Sequence, residues 1–538
     1  MRTSEHFERP AILLAAVLAA AIAVCGCGAA GGNVSFGGAQ DMGQFKQILA
    51  EGEIPSTLTL DANGFFSEHY IQLPEPDCGQ VLCAHASLAI DDYFVGDEKV
   101  TLVGVSINSP LGPEDIDPAP VDLAVVVDTS GSMVAEDKII YAREGLHTLV
   151  DEMSAGDRLA IISYDTTVRT VLELSEITVD NVQAVHSLIG EIEASGATNI
   201  YEGLERGFLT VLEAAEPGRT ARVILLSDGQ ASVGVTAAAA IQEMAYRFIL
   251  DGVGLTTVGV GTDADAFLLE GLATLGNGNY YFLESVQAIG EVFVQELLYF
   301  LSTVAFDVRL ELRFNPAYQI LRAYGWDYEL DYYLNTVRVT IPSVSIASRS
   351  GDEHEARRGG GSSFFVELRP DVDVADLGDF GIHEVADVYL DYRPADSDSD
   401  ESQTTDIDNP NEPGQIDPDG SHYSAPWAEK GYAVFNLFEG LFRVCSAATR
   451  NYHQALFLLE QLQASAEAWN ESRDDEDVRA DLILLAQFAH NLEAKGADAS
   501  KYDPDPYGTC ASAGRGGAGL AVLALLGLLL ARCRRVPF

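Results

Sequence analysis

From about residue 121 to 302 the hydrophobic pattern switches between short unbroken apolar runs and longer stretches whose apolar residues recur every three or four positions. The short runs, at 123–127, 159–163, 168–172, 223–227, 256–260 and 279–282, predict strands. Most have no polar alternation, as expected of parallel strands covered on both faces. The longer stretches predict helices. After the first strand, Ile139, Ala142, Leu146, Leu149, Val150 and Met153 make one stripe toward a sheet. Further helices are predicted over 182–192, 200–214, 237–250, 266–275 and 288–301. Strands alternating with helices in this way imply an α/β fold, doubly wound around a mostly parallel sheet.

The pattern outside this region differs. Residues 55–112 alternate apolar and polar positions, most clearly at 99–107, and predict a small antiparallel unit that could pair with strands after the central domain. Strict alternation at 306–314, 335–341 and 363–368 predicts a flanking β-sandwich. Residues 428–445, 452–462 and 477–494 read as C-terminal amphipathic helices. The Gly-rich polar stretch 28–54 is expected to be a tether. The stretch 395–425, rich in Asp, Ser, Asn and Pro, is expected to be a disordered acidic linker, because it lacks the spacing and closing glutamate of a calcium loop. The divisions that follow are 1–27, 28–54, 55–120, 121–302, 303–394, 395–425, 426–500 and a tail at 509–538.

Open α/β sheets place ligand sites at the carboxyl ends of their strands. Three loops there are chemically unusual. The first strand runs into Asp128-Thr129-Ser130-Gly131-Ser132, the fourth into Ser227-Asp228-Gly229, and Ser195-Gly196-Ala197-Thr198-Asn199 opens a helix. Asp128, Ser130, Ser132, Thr198 and Asp228 together offer two carboxylates and three hydroxyls, a set suited to a hard cation such as Mg2+, with Mn2+ or Ca2+ as alternatives. Two negative charges balance such an ion. Neutral hydroxyl ligands leave it electrophilic toward an incoming carboxylate at an open position. Taken alone, Asp-Thr-Ser-Gly-Ser would be a turn with a helix N-cap; the other two loops in register argue for a site.

These segments, Val-Val-Asp128-Thr-Ser130-Gly-Ser132-Met, Gly-Ala-Thr198-Asn and Leu-Leu-Ser-Asp228-Gly, resemble the metal-ion-dependent adhesion site of von Willebrand factor type A domains. The resemblance covers about a third of the chain, with the three parts in the family's order. It implies that Ser130, Ser132 and Thr198 approach the ion directly, while Asp128 and Asp228 act through water. Ala197 departs from it, since many bacterial members carry a second glycine there. The β-rich flanks, with Phe314-Asn315-Pro316 and Ala323-Tyr324-Gly325, are similar to bacterial proteins in which such a module brackets the A domain.

Charge narrows the partner. With 82 acidic and 32 basic residues the formal net charge is −50, which repels a phosphate backbone and disfavours nucleic acid. Cys78 and Cys83 could close a disulfide in an oxidising compartment or remain two thiols, but lack the second half of a zinc site. The N-terminus has a basic start and an apolar run at 11–24, an export signal. The following Cys25-Gly26-Cys27 resembles a lipoprotein signal in which Cys27 is lipidated, with processing near Ala29 as the alternative. At the other end, Cys510, an apolar stretch at 518–531 and Arg532-Cys533-Arg534-Arg535 resemble myxobacterial sorting tails, implying that Cys510 is processed or anchored. A weak membrane helix with cytoplasmic arginines is the other reading. Both place residues 40–500 outside the inner membrane, and the expected location is the cell envelope, at the outer membrane or cell surface.

Enzyme readings fail on specific residues. A phosphotransfer domain needs a second acid and a late lysine, yet Lys138 is the only lysine of the central domain. Ser130 and Ser132 do not form Gly-x-Ser-x-Gly. His383-Glu384 begins a zincin motif but meets Asp387 where the second histidine belongs. His147 and His186 are expected on helix faces, and Asp157, Asp165, Asp263 and Asp265 as caps or turn residues. The expectation is a non-enzymatic adhesion or assembly protein that captures an Asp or Glu of a partner through the ion. The alternative is an envelope accessory factor that recruits clients through the same site for metal insertion, folding or regulation of a membrane complex.

Overall fold

The computed structural model describes residues 32–504, apart from 36–37, 97, 113–114, 117–118, 217, 229, 262–263, 277, 284–302, 347–362, 372, 375, 398, 414–419 and 503. The terminal segments with Cys27 and Cys510 and the helix expected over 288–301 lie outside the described residues. Before the central domain come β1 (Gly32–Ser35), β2 (Gly38–Ala39), α1 (Gly43–Ala50), α2 (Ala62–Ser67), β3 (Cys83–Asp92) and β4 (Lys99–Ser109). The domain itself holds β5 (Val121–Asp128), α3 (Lys138–Glu152), β6 (Arg158–Tyr164), β7 (Val168–Glu176), α4 (Val182–Gly190) and α5 (Ile200–Leu212). It continues through β8 (Thr220–Ser227), α6 (Ala238–Leu250), β9 (Gly254–Val260), α7 (Ala266–Leu275) and β10 (Asn279–Leu283). After it follow β11 (Thr303–Phe314), β12 (Tyr318–Tyr324), β13 (Tyr328–Asp331), β14 (Thr336–Ile346), β15 (Ser363–Pro370), β16 (Glu384–Pro394), β17 (Glu401–Asp408) and β18 (His422–Tyr423). Helices α8 (Pro426–Ala448), α9 (Tyr452–Asn470) and α10 (Glu476–Ala494) follow.

The central sheet has the order β2-β10-β9-β8-β5-β6-β7. Every pair in it is parallel except β6 with β7. Successive side chains of β5 enter opposite cores, because strand side chains alternate faces. Leu123, Val125 and Val127 pack with α3 and α4, while Ala124 and Val126 pack with α5, α6 and α7. This is why the strand reads as an unbroken apolar run. The fold is α/β, doubly wound, with antiparallel sheet and C-terminal helices beside it.

Strands before and after the domain pair with each other: β4 lies antiparallel between β3 and β15, and β1 joins β4 to β14. The path β12-β15-β4-β1-β14-β11-β16-β17 folds so that Val103 and Val105 of β4 share a core with Val308 and Leu310 of β11. Cys78 and Cys83 are joined in a disulfide at the entry to β3. Asp387, in strand β16, is on no helix, so the zincin geometry is absent there.

Two expectations are corrected. The stretch 28–54 is not a free tether, since β2 adds to the edge of the central sheet beside β10 and α1 buries Phe45 and Leu49 among residues of the C-terminal helices. The composition is glycine-rich, but Phe45 and Leu49 on one face of a short helix supply enough apolar area to dock it. Nor is 395–425 a continuous disordered linker. Residues Glu401–Asp408 form an edge strand against β16, and His422–Tyr423 pair with β3. Polar and acidic side chains suit an edge strand, where they discourage further pairing.

Candidate metal centre

The chain moves from β5 to β6 on one side and later returns to place β8 on the other, so the crevice at the carboxyl ends of β5 and β8 is a topological switch point. Asp128 ends β5, and Ser227 ends β8 immediately before Asp228. Asp128 is fully buried, and Asp228 and Ser130 nearly so, whereas Ser132 is exposed at the outer side.

The Asp128 carboxylate is held at both oxygens. Oδ1 accepts from the Ser130 amide at 2.8 Å, and Oδ2 accepts from the Ser227 hydroxyl at 2.9 Å and the Tyr164 hydroxyl at 3.3 Å. Burial, with the Asp228 charge adding to it, pushes the Asp128 pKa up to about 6 despite these bonds. Burial, with the Asp128 charge beside it, also holds the Tyr164 hydroxyl well above the usual tyrosine range, so it remains a donor. The Ser130 and Ser132 hydroxyls meet at 2.9 Å.

Backbone bonds bring the second loop onto the first. The Gly131 amide donates to the Gly196 carbonyl at 3.0 Å and the Ser195 amide to the Thr129 carbonyl at 2.6 Å. Gly196 adopts φ +80, and a Cβ there would stand 2.9 Å from the Thr166 hydroxyl, so glycine is required at this crossing. Thr198 is buried; its amide donates to the Ser232 hydroxyl oxygen at 2.9 Å, and its carbonyl accepts from the Ser232 amide at the same distance. This fastens the Thr198 loop to the segment that follows Asp228.

The third loop carries the decisive atom. Asp228 Oδ2 is buried and has no hydrogen-bond partner. The Lys138 ammonium lies 3.5 Å from it and is itself almost completely buried, which is an ion pair but too long for a good hydrogen bond. An orphaned buried carboxylate oxygen is costly unless something else is to fill its lone pairs. The residues therefore fit a divalent cation. Among the described residues no group of three or more His, Cys, Asp or Glu side chains is arranged to hold an ion; here only two carboxylates share three loops with hydroxyls.

Ser227, Tyr164, Ser232 and Lys138 also belong to this cluster, and none of them was among the site residues read from the sequence. Ser227 sits next to Asp228 and could have been found from that adjacency; Tyr164 and Ser232 become neighbours only through the fold. Asp165 is no ligand: its carboxylate accepts from Thr167 and Arg169, and its carbonyl takes the Asn199 amide, bracing the Thr198 loop. Asp157 and Asp265 accept backbone amides as turn and helix caps. His147 and His186 lie on adjacent helices with their Nδ1 atoms 2.7 Å apart, away from this centre.

Residues 122–295 match the von Willebrand factor type A domain family. The chain is 30% identical over 223 residues to the uncharacterized protein YfbK of Escherichia coli, covering 41% of this chain and 38% of that protein. It is 31% identical over 172 residues to human inter-alpha-trypsin inhibitor heavy chain H2, covering 31% of this chain and 18% of that protein. The chain thus spans well under half the length of these relatives. Among solved structures, a von Willebrand factor type A protein from Catenulispora acidiphila aligns with 74% of this chain and 89% of its own, at 15% identity and a TM-score of 0.46. With its parallel sheet and the three loops gathered at the carboxyl ends of β5 and β8, the central part of this chain is a von Willebrand factor type A domain.

Proposed function

We propose that this chain is an envelope-displayed, metal-dependent protein-binding module in which Asp128, Ser130, Ser132, Thr198 and Asp228 hold a divalent cation that captures a carboxylate of a partner protein. The observation that carries this is the buried Asp228 Oδ2, which accepts no hydrogen bond and lies beside the buried Asp128 carboxylate. When bound, Mg2+ or a similar ion supplies an electrophilic position for a guest oxygen. The chain's own residues do the remaining work. Ser227 and the Ser130 amide fix the orientation of the Asp128 carboxylate, so it need not reorganise on binding. Tyr164, fully buried and kept protonated by its surroundings, donates to Asp128 Oδ2. Exposed Ser132 lies on the side from which a partner would approach.

Adhesion or assembly, with no chemical step, is the role this arrangement suits. Display on the envelope rests on the terminal segments, where Cys27 or Cys510 would provide the anchor. The test is a crosslinking capture from the envelope fraction, with Mg2+ and with chelator, using wild type, Asp128→Ala and Asp228→Ala proteins shown to be folded by circular dichroism. Capture that needs Mg2+ and is lost in both variants is expected. The same proteins captured in chelator, or by both folded variants, would defeat the proposal.

A further inference from the structure

Lys138 occupies a position that two physical costs argue against. It is the first residue of helix α3, where a cation opposes the helix dipole, and it is buried to 2% exposure. The chain reaches it through Asp137, a non-glycine residue held at φ 58, so the turn before the helix is also strained. Its ammonium forms an ion pair with Asp228 Oδ2 at 3.5 Å. No other lysine occurs in the domain.

We infer that Lys138 is a resident counter-charge that weakens the site's hold on the metal and strengthens the loaded site's hold on a guest carboxylate. This rests on the proposed metal-dependent capture and names the residue that sets its balance. Two carboxylates, Asp128 and Asp228, exactly neutralise a divalent ion if nothing else is present, and a neutral centre has little pull on an anion. With the Lys138 ammonium in the same buried space, the empty cluster carries a single negative charge and the loaded one a single positive charge. A guest carboxylate then brings the whole to neutrality. The same ammonium keeps the two carboxylates from facing each other uncompensated before metal arrives.

The two effects have opposite signs, which separates this role from simple structural support. In Lys138→Met the side chain keeps its length and packs in the same buried space without charge. Mg2+ affinity of the purified protein, measured by titration calorimetry, is expected to rise about tenfold or more, since a unit charge this close acts through a low effective dielectric. Acetate affinity of the Mg2+-loaded protein is expected to fall by a comparable factor. Lys138→Gln should repeat both changes and guards against a packing defect particular to methionine. Mg2+ affinity that is unchanged or weaker in the folded variants overturns the inference, as does acetate affinity that does not fall. If wild type takes up no Mg2+ at all, the proposed function fails first, and the inference with it.

Discussion

His69 and Asp481 meet across 412 residues of chain, with imidazole Nε2 2.8 Å from the carboxylate Oδ2. The other ring nitrogen, Nδ1, stands 2.7 Å from the Phe65 carbonyl oxygen. A backbone carbonyl and a carboxylate oxygen both accept, an arrangement that favours hydrogen on both ring nitrogens and so the imidazolium form. The pair fastens the segment after α2 to α10, and the Tyr70 amide adds a second tie by donating to Asp477.

This pair makes stability depend on pH in a defined direction. Burial alone would lower the His69 pKa, but the charge and hydrogen bond of Asp481, with Asp477 behind it, hold it above its ordinary value of 6.5. A raised folded-state pKa stabilises fully below the unfolded value and is lost as pH rises through the folded one. Denaturant unfolding of wild type should therefore lose stability above about pH 6.5, relative to Asp481→Asn, which lacks the partner charge. Parallel stability curves for the two proteins over this range would refute the imidazolium.

The N-terminal stretch gives a second prediction. Phe45 is completely buried, and its ring meets Phe488 of α10 edge-on with centroids 6.1 Å apart. Phe45→Ala should cost about 3–5 kcal/mol in denaturant unfolding, the range for a large buried aromatic. A free tether would make the same change nearly silent, within about 0.5 kcal/mol. The measured difference decides between the two.

How much of this was legible in the sequence depends on whether a signal is local. Val125, Val126 and Val127 announce a strand covered on both faces, and the Asp128, Thr198 and Asp228 loops can be read because each follows or precedes a recognisable element. Gly38 and Ala39 form a two-residue strand whose partner, Asn279 and Tyr280, lies far along the chain, so no periodicity marks it. Strand β17 has only Ile407 as a buried apolar residue, and its polar alternation looks the same as a solvated linker. Lys138 was visible as a lone lysine, but its meaning depends on the distance to Asp228, which no spacing encodes.

The support beneath the metal centre can be tested without touching a ligand. A Cβ on Gly203 of α5 would stand 2.7 Å from the ring of Tyr164, whose hydroxyl reaches Asp128. A methyl there must push the ring, because the close atoms include the base of the fully buried Tyr164 side chain and not only its far end. Gly207, one turn further on, is equally tight, but its Cβ would meet Val126, an apolar side chain with no hydrogen bond to give Asp128, at 2.5 Å. Both Gly203→Ala and Gly207→Ala should therefore destabilise the fold by about 1–3 kcal/mol through overpacking. Only Gly203→Ala should also weaken Mg2+ binding, because only it displaces a donor to Asp128. Calorimetric titration of both proteins, below their unfolding transitions, separates the effects. Equal Mg2+ affinity in the two would mean that Tyr164 fills the core without positioning Asp128.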